Sequence, residues 1–217
     1  MKKKVLTVLI VACLMAGSIF AAQGAIKVGG HVGYGFDWVK INEQLFGGKI
    51  EVSAASNGFY FAANGEYEFV DGFSAKVELG AMTMGKLSQT LKGNDGEEKT
   101  VADKATPINF SAYLGAKYEA LISGDFGAFA GLGVDAMLGK QSAQDDEPFN
   151  GRIGLGVEAG GVYNFNEKLS FNLGARCSIY FFNTAKEVRD TIKELRDHNG
   201  KVLQHDLKVF AGATYSL

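Results

Sequence analysis

Residues 152–182 read RIGLGVEAGGVYNFNEKLSFNLGARCSIYFF, two long alternating runs joined by the polar turn Asn164-Phe165-Asn166-Glu167-Lys168. In the first run Ile153, Leu155, Val157, Ala159, Gly161 and Tyr163 share one face. Arg152, Gly154, Gly156, Glu158, Gly160 and Val162 share the other. The second run sets Leu169, Phe171, Leu173, Ala175, Cys177, Ile179 and Phe181 against Ser170, Asn172, Gly174, Arg176, Ser178, Tyr180 and Phe182. Successive side chains of a strand point to opposite faces, so alternation held this long predicts two β-strands. Globular strands average only about 5–6 residues, and runs of more than twice that length require a reason.

The same beat recurs along the chain, giving eight runs in all. Ile26 to Val39 alternates Val28, Val32, Tyr34, Phe36 and Trp38 with Lys27, His31 and Asp37. Phe59 to Phe69 and Phe73 to Ala81 flank the hairpin turn Asp71-Gly72. Ile108 to Tyr118 and Phe126 to Leu138 flank Ser123-Gly124-Asp125, and the chain ends on Leu207, Val209, Ala211, Ala213, Tyr215 and Leu217. Lys40 to Asn57, Gly85 to Pro107, Gly139 to Gly151 and Asn183 to Gln204 are predicted as loops. Within the last, Ala185 to His198 has helical spacing. Connections alternate long and short, as they do when antiparallel strands shuttle between two ends.

Eight such strands build either a soluble barrel, apolar inside, or a membrane barrel, apolar outside. The row Gly127, Phe129, Gly131, Gly133, Asp135 and Met137 is poor water-facing surface but a sound lining for a narrow lumen. Aromatic residues gather at both ends of the apolar faces: Trp38, Phe59, Phe61 and Phe181 at one, Tyr67, Phe69, Phe73, Tyr118, Tyr163, Phe165 and Tyr215 at the other. That distribution matches interfacial girdles. The fold class expected is all-β, an eight-stranded antiparallel up-and-down transmembrane β-barrel with short periplasmic turns and four long extracellular loops. After residue 24 no apolar run reaches the roughly 18 residues of a membrane helix.

Charges on the lumen face need partners. A turn centred on Asp71 puts Glu66 opposite Lys76, and one centred on Glu167 puts Glu158 opposite Arg176. Cross-strand neighbours share a face about 5 Å apart. Glu78 and His31 fall at similar depth, so Glu66, Lys76, Glu78, Glu158, Arg176 and His31 form a predicted interior polar network of structural role.

Met1-Lys2-Lys3-Lys4 followed by the apolar run Val5 to Ala22 reads as a secretory signal, with Ala22-Gln23-Gly24 as cleavage site. Residues 1–24 are then the signal peptide and 25–217 the barrel domain. An acylation site at Cys13 ranks lower because the apolar run continues past it, and an uncleaved anchor because the run is barely long enough. Removal of the signal leaves 19 basic against 24 acidic side chains, a formal charge of −5. This argues against a nucleic-acid partner. Cys177 is then the single cysteine, placed for packing or for lipid.

The signal, the start AIKVGGHVGYGFD, the loop rhythm and the terminal VFAGATYSL resemble the small eight-stranded outer-membrane barrels, the OmpX, opacity-protein, OmpW and OmpA transmembrane-domain group. That group usually ends in Phe; here Leu217 stands last, with Tyr215 two residues before it. The resemblance implies the outer membrane of a diderm bacterium, contact with its lipid, and assembly through the C-terminal strand by the barrel-assembly machinery. It further implies surface roles in adhesion or protection, with an extracellular ligand or host factor at the loops, or passage of small solutes. No catalytic, cofactor-binding or metal-binding residue is assigned. A lipid-modifying enzyme needs a Ser-His pair, for which only His31, His198 and His205 are at hand. The acidic run Asp145, Asp146 and Glu147 reads as a solvated loop, and Gly131-x-Gly133 and Gly154-x-Gly156 are no nucleotide fingerprint, because no helix follows them. A soluble secreted barrel is the alternative fold.

Overall fold

A computed structural model describes residues 24–45, 48–83, 85, 87–92, 98–103, 108–139, 150–184, 189–190, 192–194 and 201–217. The strands are β1 (Ala25–Leu45), β2 (Gly48–Val70), β3 (Phe73–Thr83), β4 (Leu87–Lys92), β5 (Glu98–Asp103), β6 (Ile108–Ser123), β7 (Phe126–Gly139), β8 (Asn150–Asn164), β9 (Leu169–Asn183) and β10 (Lys201–Ser216). Neighbours run antiparallel in the order β1-β10-β9-β8-β7-β6-β3-β2, and the β1–β2 pairing closes the ring. Eight strands thus form a barrel with every edge paired, the condition for crossing lipid. The signal-peptide reading and the acidic run at 145–147 lie outside the described residues.

Tight turns form where backbone chemistry favours them. Gly72 and Gly124 have positive φ (74° and 54°), at the two-residue connections β2–β3 and β6–β7. In the β8–β9 turn Asn166 Oδ1 accepts from the backbone N–H of Lys168 (2.9 Å) and Leu169 (2.8 Å), an Asx-type cap.

Burial is inverted relative to a soluble protein. Val32, Phe61, Leu79, Leu132, Val157 and Leu173 are each at least half exposed, whereas Glu78, Glu158, Arg176 and Lys208 are fully buried. An apolar mantle around an ionic interior is stable only with hydrocarbon outside. Cys177 is exposed on this mantle. A nitroxide on Cys177 in reconstituted vesicles is therefore expected to collide with dissolved oxygen far more than with a polar nickel chelate; the reverse preference would place it in the lumen.

Several expectations are corrected. Residues 40–45 and 48–57 are strand, not loop: β1 and β2 continue pairing from Lys40↔Ser53 to Leu45↔Gly48. Beyond the lipid both faces meet water, so hydrophobic alternation fades while backbone pairing persists, supported by Ile41 opposite Val52 and a Lys40–Glu51 ion pair of 2.7 Å. Part of the predicted 85–107 loop is a hairpin, β4–β5, and β4 adds to the distal half of β2 from Glu51↔Lys92 to Ala55↔Ser88. β10 begins at Lys201, inside the predicted fourth loop, because Lys201 to Gln204 pair with β1. Phe182 does not face the lumen: register passes from Ile153↔Phe182 to Gly154↔Tyr180, and this bulge turns Phe182 outward beside Phe181 and buries Asn183. Tyr67, assigned to the lower girdle, is only 3% exposed. Gly24 packs on its ring, so close that a Cβ there would lie 2.6 Å from Tyr67 Cζ. Of the predicted helical stretch, residues 189–190 and 192–194 are helical, and the rest lies outside the described residues.

Candidate functional site

The lumen is filled by side chains in three tiers, each drawn from alternate positions of several strands. The middle tier holds five of the six predicted polar residues, all but Glu66. Arg176 (β9) donates to both oxygens of Glu78 on β3 at 2.7 and 3.0 Å, and to Glu158 on β8 through Nε at 3.2 Å and Nη2 at 2.6 Å. Lys76 (β3) donates to both oxygens of Glu158 at 3.0 Å and lies 3.2 Å from Glu78. His31 Nδ1 is 3.1 Å from Glu78, and Tyr60 donates its hydroxyl to the same carboxylate. Two carboxylates thus meet two cations, with the Arg176 guanidinium 3.8 Å from the Tyr113 ring centroid and the His31 ring stacked on Phe210 at 4.6 Å. Planar guanidinium binding to two carboxylates at once is the strong, geometrically specific form of such contacts.

Glu66 stands opposite Lys76 in the β2–β3 register, and Glu158 opposite Arg176. Glu66 nevertheless takes its cation from β6: Lys117 is 2.5 Å from it and 3.3 Å from Glu119. Lys76 reaches instead across the lumen to Glu158. Register assigns which residues share a face; the choice of partner depends on side-chain reach across a closed tube. The Glu66–Lys117 pair belongs to the lower tier, which opens at the short-turn end into a vestibule of about 780 Å³ bordered by the Lys27–Glu68 pair (2.7 Å). Above it the lumen narrows to a cavity of about 10 Å³ next to Lys76, Lys117 and Phe129, roughly one water molecule.

The upper tier is absent from the sequence expectations. Lys208 (β10) donates to Asp135 at 2.9 Å and lies 3.0 Å from Asp206. Ser178 donates to Asp135 at 2.6 Å, and Tyr180 to Asp206 at 2.7 Å. Arg152 grips Asp37 through two bonds of 3.0 and 2.8 Å. The lumen parity of Asp135 was legible, but Lys208 lies directly opposite Arg176 in the β9–β10 register. Two like charges side by side gave no reason to pair either with a carboxylate on β7. For a Ser-His chemistry the arrangement is unfavourable: His205 stacks on Trp38 at 5.1 Å on the outer face, while the adjacent Asp206 is buried in the lumen. His198 lies outside the described residues.

Among solved structures the chain is similar to Neisserial surface protein A, with 13% identity over 89% of this chain and 99% of that one and a TM-score of 0.54. It is also similar to the N-terminal β-barrel domain of Pseudomonas aeruginosa OprF (10% identity, 90% and 100% coverage, TM-score 0.49). A third such structure is the outer membrane protein OprG of Pseudomonas aeruginosa (14% identity, 90% and 98% coverage, TM-score 0.46). No curated protein matches the sequence. The likeness to Neisserial surface protein A speaks for the barrel fold, and a sequence profile matches residues 9–201. The chain belongs to the family of the outer membrane protein beta-barrel domain and is a protein of the bacterial outer membrane.

Proposed function

We propose that this barrel is a non-enzymatic surface protein whose adhesive or protective role is carried by structure standing outside the membrane. One observation carries this reading. A tilted strand needs about 9–11 residues to cross a bilayer, yet β1 has 21 and β2 has 23. On the outer face the apolar band ends at Trp38, and the Lys40–Glu51 ion pair lies above it. About a third of the β1–β2 ribbon therefore projects beyond the lipid, widened by β4 and β5 into a small ordered sheet. The closed ionic tiers support a lumen that does not conduct. Residues 1–24 serve export in this reading, and β10, ending in Tyr215 and Leu217, is the segment offered to the barrel-assembly machinery.

The test excises residues 42–49 and 86–104, joins the cut ends by short turns, and displays the shortened barrel on cells lacking the wild type. Attachment to host cells or survival in serum is expected to fall to background while the shortened protein still inserts. Equal attachment and survival by both forms would sink the reading. The rival is a narrow solute channel, and purified protein in planar bilayers is expected to show no steady conductance. Stable openings would favour the channel.

A further inference from the structure

We infer that the extracellular half of the lumen contains a binding site for a singly charged cation, held by Asp206, Asp135 and Gln204. Among the described residues this tier sets three carboxylates, Asp37, Asp135 and Asp206, against two cations, Arg152 and Lys208. Asp37 and Asp206 are directly opposite each other in the β1–β10 register and both face inward, a like-charge placement that disfavours the pair unless a positive charge lies between them. Arg152 directs two of its bonds to Asp37 and a third to Met137 Sδ. Lys208 is shared by Asp135 and Asp206, so one negative charge remains unbalanced at residues with no exposed surface. A buried unbalanced charge is strongly destabilising.

A second observation is independent of the acids. The Oε1 atom of Gln204, a residue 4% exposed and two positions along β10 from Asp206 on the same face, is buried without a hydrogen-bond partner. Asp206 Oδ1, Asp135 Oδ1 and Asn109 Oδ1 are likewise buried and unpartnered. All four are acceptors, while Lys208, Ser178 and Tyr180 spend their donors on the other oxygen of each carboxylate. Oxygen ligands in excess and one uncompensated charge describe a site for a hard cation. One uncompensated negative charge calls for one positive charge, which favours sodium or potassium over a divalent ion. This site is independent of the surface role proposed above.

The experiment uses the full mature barrel in detergent micelles, with choline chloride replaced stepwise by sodium or potassium chloride at constant ionic strength. The thermal midpoint is expected to rise with the logarithm of cation concentration above Kd, by roughly 5–10 °C at a concentration about 100 times Kd, and sodium NMR lines to broaden in the presence of protein. Asp206→Asn, which supplies an N–H donor and removes the charge, is expected to abolish both effects, and Gln204→Leu to weaken them. Equal midpoints in choline and in both alkali salts would overturn the site, as would a full response in Asp206→Asn. A midpoint indifferent to the cation but falling as pH rises would assign the missing charge to a shared proton, and also overturns it.

Discussion

Arg176→Met is expected to lower barrel stability by about 3–5 kcal/mol, the usual cost of removing one partner from a buried ionic group. Arg176 is 1% exposed and makes four hydrogen bonds to the two middle-tier carboxylates, which it spans together with Lys76. Without it Lys76 faces Glu78 and Glu158 alone, and a site that held two charges of each sign becomes net negative. Glu78 keeps His31, Tyr60 and Lys76, whereas Glu158 keeps only Lys76. The double variant Arg176→Met/Glu158→Gln restores neutrality and is expected to recover more than half of the loss. Arg176→Lys keeps the charge but cannot bridge two carboxylates through a planar fork, and is expected to fall between the two. The midpoint of urea unfolding in lipid bilayers, with the heat-dependent shift in gel mobility as a second probe, reads all four proteins. Wild-type stability in Arg176→Met would show that the middle tier contributes nothing net, as some buried ion pairs do when compared with apolar replacements.

The fold was legible because lipid imposes a rule on every spanning residue. Leu79 must face out and Glu78 in, and the sequence alternates accordingly. Legibility stops where that rule stops. Above Trp38 both faces of β1 and β2 meet water, polar residues occupy both, and the strands continue on backbone pairing that composition does not reveal. The bulge at Phe181 is a second limit, because one inserted residue reverses the face of everything beyond it. The strict beat therefore placed Phe182 in the lumen, where Asn183 in fact points.

The interior shows a different boundary. Cross-strand register identifies residues on one face, and that sufficed to collect Glu78, Glu158, Arg176, Lys76 and His31 at one depth. In a closed barrel, however, long side chains also reach strands several places away in the ring. Lys117 to Glu66, Lys208 to Asp135 and Arg152 to Asp37 all skip the adjacent strand. Their pairing depends on the barrel's tilt and stagger, which are properties of the closed ring and not of any hairpin.

Glycines complete the packing, and two of them are expected to respond to the same substitution in different ways. Phe129 on β7 lies opposite Gly160 on β8, which lies opposite Gly174 on β9. The Phe129 ring covers both glycines. A Cβ at Gly174 would sit 2.7 Å from Phe129 Cζ and 3.0 Å from both Phe210 Cζ and the Ala159 carbonyl, so the nearest obstacle there is a ring edge. A Cβ at Gly160 would sit 2.6 Å from Phe129 Cζ but also 2.7 Å from Gly174 Cα, and closer still to the Leu173 carbonyl. There the backbone itself must move. Gly174→Ala is accordingly expected to destabilise by about 1–3 kcal/mol, the ordinary cost of overpacking. The cost is relieved when Phe129→Leu shortens the ring, with a favourable coupling of about 0.5–3 kcal/mol in the double-mutant cycle. Gly160→Ala is expected to cost at least as much and to gain little from Phe129→Leu, because no side-chain trimming moves the Leu173 carbonyl. Refolding yield into lipid vesicles and the urea midpoint distinguish the cases. Equal rescue at both glycines would mean that the β8–β9 backbone yields as readily as a ring, and would remove the reason for glycine at position 160.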